Sequence, residues 1–340
     1  MILKHGENAP VTGRAPVTWD LRPLAAPSSK PDDRTMSTAE TSTEDRVVVG
    51  VDGSDDSIEA LRVAARAGEV MNATLVVVTT WPQPPTFGRT PLRVPDFQRE
   101  TAELQGAAIR GAFGDRPPAR LLRVVRGGAP SAALVRESER ARLVVVGRRG
   151  HGGFGSLLLG STAMSTVVHS ACSVLVLGQE VRAAPTSDVD GPGIRRVVVG
   201  VDWEAPSIHA LAAADRAAAL LEARLDVVTV WDTFDGDLDT MSDFRDAVGS
   251  VAQAQQDAAV EEVVPPARRK AVHRIIREGG VSAVLVDEAE HADLLVVGIR
   301  SRSALVEAFT GAIPLTTAGH ADCPVLVVRA TPDAHGTTSA

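Results

Sequence analysis

From residue 46 onward, short apolar runs alternate with longer stretches in which apolar residues recur every three or four positions. The runs Val47 to Val51, Thr74 to Thr80, Arg120 to Arg126, Arg142 to Val146 and Ser173 to Leu177 are rich in Val and Leu. They are apolar continuously rather than at every second position, which predicts strands covered on both faces and hence a parallel sheet. Helices are predicted after Ser54 or Asp55, near Asp96, after Pro130 and after Ser161, where Ser and Asp are suited to capping. Strand and helix alternate through five strands, the pattern of a doubly wound α/β domain.

The pattern is written twice. RVVVGVDGSDDSIEAL (46 to 61) returns as RVVVGVDWEAPSIHAL (196 to 211), and Trp81 and Trp231 keep the same offset. Further on, ARLVVVG (141 to 147) matches ADLLVVG (292 to 298), and HSACSVLV (169 to 176) matches HADCPVLV (320 to 327). A repeat of this length makes each copy one domain. The first is assigned to 46–178 and the second to 196–329, with second-copy strands near 197, 225, 271, 294 and 325. Residues 179–195 hold Pro185, Gly191, Pro192 and Gly193 and read as a linker. Residues 1–45 carry five prolines among Ser, Thr and charges without apolar period, so they read as a disordered tail, as do 330–340. Met36 opens MSTAETSTEDR and offers an alternative start.

Composition narrows the classes. The 340 residues are 44% apolar, enough for two ordinary cores. A net charge of −8 disfavours the counterion-release mode of nucleic-acid binding. No run reaches bilayer length, and the opening MILKHGENAP lacks the apolar core of a signal peptide. Two cysteines, Cys172 and Cys323, argue against a disulfide framework and for a reducing compartment. The expectation is a cytoplasmic protein without nucleic-acid or membrane partners.

The candidate chemistry lies after the fourth strand, in Gly147-Arg148-Arg149-Gly150-His151-Gly152-Gly153 and on to Gly160-Ser161-Thr162. A chain leaving the carboxyl end of a parallel strand arrives at the edge where open α/β sheets bind ligands. Glycines let backbone amides close around an anion, and a helix N-terminus adds free donors with a positive dipole end. Arg148, Arg149 and His151 reinforce the sign. A polyphosphate cradle and a plain flexible surface loop both fit these features. Gly150, Gly152 and Gly155 match G-x-G-x-x-G, but after the wrong strand and without the acidic residue about 20 positions on. No Lys follows a glycine as a P-loop requires.

The spacing G-x2-G-x9-G-[ST] at Gly147, Gly150, Gly160 and Ser161 resembles the ATP-binding pattern of the universal stress protein family. VVVGVDGS (47 to 54), the H-x-x-C before the last strand and the tandem arrangement support the resemblance, which covers nearly all of 46 to 329. It implies two flavodoxin/HUP-like domains, each a five-stranded parallel sheet of order 3-2-1-4-5. It further implies ATP as ligand, accompanied by a divalent cation such as Mg, and a homodimer of chains. By resemblance, Gly50 and Asp52 lie against the nucleoside, and the backbone around Val77 and Val78 reads the adenine edge. Gly147 to Gly153 with Gly160, Ser161 and Thr162 hold the phosphates. On spacing alone Asp52 serves equally as ligand or as helix N-cap.

In the second copy, Gly200, Asp202, Gly298, Arg300 and Gly311 persist, while Ser301, Ser303 and Ala312 replace Gly150, Gly152 and Ser161. Glu307 adds a negative charge. The second site is therefore expected to be weaker. His169 with Cys172 and His320 with Cys323 supply too few ligands for structural zinc and read as small buried thiols. Trp81 and Trp231 read as packing residues at the sheet edge, and 232 to 246 as a solvated connection. The expected function is an ATP-binding stress-response module that signals occupancy to an unknown protein partner. A slow ATPase or adenylyl-transferring enzyme, and a nucleotide-free interaction module, are the alternatives. No catalytic residue and no resident metal site is assigned.

Overall fold

The computed structural model describes residues 45–82, 96–150, 158–177, 196–202, 204–231, 242–290, 292–299 and 313–330. All lie within one compact unit spanning Ser42–Ala340. The tails and the linker lie outside them.

Valine-rich runs form the strands because β-branched side chains pack well on a pleated surface. In the first half these are β1 (Arg46–Gly50), β2 (Thr74–Trp81), β3 (Leu121–Gly127), β4 (Leu143–Gly147) and β5 (Ser173–Leu177). The second half has β6 (Arg196–Gly200), β7 (Arg224–Trp231), β8 (His273–Glu278), β9 (Leu294–Ile299) and β10 (Val325–Arg329). The helices of the first half are α1 (Asp55–Val70), α2 (Phe97–Phe113), α3 (Pro130–Ser138) and α4 (Ser161–His169). Those of the second are α5 (Ala205–Leu220), α6 (Ser242–Val263), α7 (Val281–Ala289) and α8 (Ile313–His320). Ser54 caps α1 by accepting from the Ser57 amide, and Asp96 caps α2 by accepting from Arg99. No described helix is long and apolar enough to cross a membrane.

Each half has the expected order, β3-β2-β1-β4-β5 and β8-β7-β6-β9-β10, all parallel. The halves join through their last strands: β5 and β10 pair antiparallel, with Leu175 opposite Leu326, giving one ten-stranded sheet. Val47, Val48 and Val49 are all fully buried because helices cover both faces. On the face of α3, α4, α7 and α8, a single core runs across the seam, from Val48 and Leu134 through Val176 and Val325 to Leu285. The opposite face has two cores, with Leu175 and Leu326 packed against both.

Some sequence expectations need correction. β3 is not apolar on both faces: Leu122 and Arg123 are exposed because β3 is an outer edge, where a charged residue blocks further pairing. The strand expected near 271 begins at His273, and Arg269–Ala271 is a 3-10 turn. Of the acidic connection 232 to 246, the residues from Ser242 onward belong to α6; the rest lies outside the described residues.

Candidate functional site

The first-copy site is assembled from the ends of β1 and β4. The Oδ1 of Asp52 accepts from the Ser54 amide at 3.0 Å and from its hydroxyl at 2.6 Å. The carboxylate thus forms an Asx turn one step before the helix. Ser54, not Asp52, is the N-cap of α1, which removes one of the two roles the spacing allowed. The Ser57 hydroxyl accepts from the Gly53 amide at 3.1 Å and donates to the Ser54 carbonyl at 2.8 Å, fixing the turn from inside. Gly53 lies at φ +89°, the left-handed region where glycine is favoured.

The other carboxylate oxygen faces the glycine loop. A Cβ added to Gly150 would overlap Asp52 Oδ2, so a larger residue there would make the carboxylate swing aside. Gly147 is similarly pressed: an added Cβ would stand 3.0 Å from Asp56 Cβ in α1. The loop is closed at its neck by the Gly160 amide, which donates to the Arg148 carbonyl at 2.9 Å. Gly160 is the N-cap of α4 and has no side chain to cap it, so the helix opens at Ser161 and Thr162 without a side-chain cap. His151, Gly152 and Gly153 lie outside the described residues.

One expected role changes. Arg148 was expected to add positive charge to the loop, but its side chain is only 5% exposed and donates to the Ala321 carbonyl in the other half. Burial draws its pKa below the ordinary value, with Asp322 the largest opposing influence. Val77 and Val78 are buried in β2, where the Val77 carbonyl accepts from Gln105 Nε2 and the Val78 carbonyl from the Val51 amide. Gly50 is set by packing, since a Cβ there would press on Leu134 Cδ1 at 3.1 Å.

In the second copy, Asp202 repeats the turn, its Oδ1 accepting from the Glu204 amide at 2.7 Å. Gly200 again lies under a leucine, Leu285. The exit of β9 is tighter: a Cβ on Gly298 would overlap the Pro206 carbonyl, where the first copy has Asp56. Pro206 also supplies no amide in the first turn of α5. Arg300, Ser301 and Gly311 lie outside the described residues.

Sequence reasoning missed a pair of buried glutamines. Gln105 Nε2 donates to the Val77 carbonyl, the Thr79 hydroxyl and the Val124 carbonyl at 2.9, 3.1 and 3.2 Å. Gln256 makes the same three bonds to Val227, Thr229 and Ile275. Each lashes a helix to the two outermost strands of its half. The signal was present, because 105 and 256 keep the offset of the later repeat.

Both thiols are held protonated by burial. Cys323 is buried, Cys172 half-buried, and burial pushes both up to about 11. Among the described residues no group of three or more His, Cys, Asp or Glu could hold a metal ion. Trp81 packs on Gly127, where an added Cβ would lie 3.1 Å from the indole. Trp231 differs. Glu278 stands in register opposite it, and the indole helps line an open cavity of about 640 Å³ with Arg245 and Gln253. That cavity contains neither Asp202 nor Gly298; the convergence of Asp52, Gly150 and α4 defines the candidate site instead.

A doubly wound tandem α/β protein with a glycine after β4 set against the carboxylate that follows β1 is the class that fold and site define. The universal stress protein family model matches residues 44–178 and 193–329, and the chain belongs to that family. A universal stress protein of Mycolicibacterium smegmatis is 27% identical over 300 residues, covering 85% of this chain and 99% of that protein. One from Mycobacterium tuberculosis is 29% identical over 296 residues, covering 83% and 96%. The crystal structure of a universal stress protein from Archaeoglobus fulgidus shares the fold with a TM-score of 0.56 at 18% identity, covering 85% of this chain and 99% of that one.

Proposed function

We propose that this protein binds ATP in its first domain and acts by occupancy, as a cytoplasmic stress-response module rather than a turnover enzyme. The observation that carries the reading is Gly150 lying against the Asp52 carboxylate, with the open N-terminus of α4 anchored to the same loop by Gly160. The amides of the first turn of α4 and Arg149, whose Nε is buried without a hydrogen-bond partner, would face the phosphates. Asp52 Oδ2 would accept from a ribose hydroxyl. A divalent cation would arrive on the phosphates, where Asp52 is the carboxylate beside Gly150. These groups bind and orient, and occupancy would be read by a protein partner.

The second site is the weaker one in this reading, because Pro206 crowds the β9 exit and Ser301, Ser303 and Ala312 replace two glycines and a hydroxyl. A homodimer of chains completes the reading. Since β5 and β10 already cover one another, a second copy would use another surface, and sedimentation at micromolar concentration would show twice the chain mass.

Calorimetric titration of ATP, with mass spectrometry of nucleotide released on denaturation, tests the assignment. Wild type should show one tight site, and Gly150→Val should weaken it by about 30-fold or more, the equivalent of about 2 kcal/mol. No adenine nucleotide and no heat of binding in wild type would defeat the reading. A linear release of ADP with time would favour the slow ATPase.

A further inference from the structure

Two arginines cross the seam between the halves, in opposite directions. Arg148, the first residue after β4, sends its guanidinium to the Ala321 carbonyl just beyond α8, while its own carbonyl holds the Gly160 amide. Arg329, the last residue of β10, is 8% exposed and donates from Nη2 to the Val167 and Val168 carbonyls at 2.8 and 2.9 Å. These carbonyls close the last turn of α4. Arg329 pairs in register with Ile299, at the end of β9. Each half therefore extends an arginine from its ligand edge to the C-terminal end of the other half's last helix.

The repeat did not supply this arrangement. At the offset of the later repeat, Arg148 corresponds to Ile299 and Arg329 to Gly178. The chemistry is nevertheless the same from both sides. The last carbonyls of a helix lack intrahelical donors and carry the negative end of the dipole, so a guanidinium is favoured there. Its planar fork can serve two neighbouring carbonyls, which an ammonium on a flexible stem does less well.

α4 has only nine residues, and its opposite end is the Gly160–Ser161 turn that faces the candidate anion site. We propose that Arg329 is a positioning residue for the first domain's site, supplied by the second domain. By holding the far end of α4 it sets the direction of the helix amides, so occupancy of that site and docking of the two halves strengthen each other. The functional part rests on the nucleotide reading above. The positional part does not.

Full-length Arg329→Met and Arg329→Lys proteins separate the two. Hydrogen exchange in peptides spanning 158 to 166, without added nucleotide, should be about five- to tenfold faster in Arg329→Met and partly restored in Arg329→Lys. ATP affinity should fall by a similar factor and recover in the same order. Unchanged exchange at the start of α4 overturns the proposal. So does faster exchange spread evenly along β5 and β10 with ATP affinity intact, which is the behaviour of a mere seam contact. If wild type takes up no ATP, the nucleotide reading fails, and exchange alone decides the positional part. Should Arg329→Met fail to fold, Arg329→Lys carries the same comparison with one donor lost.

Discussion

Glycine at 150 and aspartate at 52 meet across almost a hundred residues of chain, where a Cβ on the loop would displace the carboxylate. Other side chains report burial rather than binding. Cys172 and Cys323 ionise near 11 in the fold against 9.0 unfolded, so the thiol form favours the native state. That contribution is fully present below pH 9 and is lost as pH rises from 9 towards 11, at about 1.4 kcal/mol per pH unit for each thiol. Urea unfolding at pH 8, 9.5 and 11 should show the decline, and Cys323→Ala should reduce its slope. Asp226, fully buried where the first copy has Val76, is held by Arg196 at 2.7 Å and Arg224 at 2.8 Å. Its replacement by alanine leaves Arg196 to Glu288 and Arg224 to solvent, and should cost about 2 kcal/mol, read as a lowered urea midpoint.

At the level of elements, the buried glutamines explain how the outermost strands stay attached. Strands β3 and β8 each have a single neighbour in the sheet, and α2 and α6 lie over them. Gln105 and Gln256 supply bonds to both outer strands that no apolar side chain could replace. Gln105 additionally accepts from Arg123 Nε at 2.9 Å, whereas the carbonyl oxygen of Gln256 is buried without a hydrogen-bond partner. Gln105→Met should therefore destabilise by about 2 kcal/mol, and Gln256→Met by less, in parallel denaturant titrations. Arg123→Met should narrow the difference.

For the whole molecule, the joining of β5 to β10 makes two homologous domains into one sheet. An antiparallel pair of equivalent edges is what a twofold relation between repeats produces, and it covers two strand edges at once. Because one core runs across the seam on the α4 and α8 face, both halves should unfold in a single calorimetric transition. Val325→Asp places a charge in a fully buried position of β10 and should split that transition in two, with a loss of more than about 3 kcal/mol. A single unsplit peak for the variant would show that the halves cohere by other contacts.

Much was legible in the residues alone. Continuous valine runs, helical periods and the doubled text determine a parallel five-stranded fold in tandem, because burial on both faces leaves that trace in any chain. Strand ends followed by glycines place a ligand edge, since chain direction dictates which edge receives the loops. Tertiary structure alone decided the rest. That Arg148 turns away from its loop, that Asp226 is paired inside a sheet, and that Arg329 serves a helix of the other half depend on contacts between residues far apart in sequence. A charged residue looks the same in the text whether it meets solvent, a carboxylate or a helix end, and only the packed chain supplies its partner.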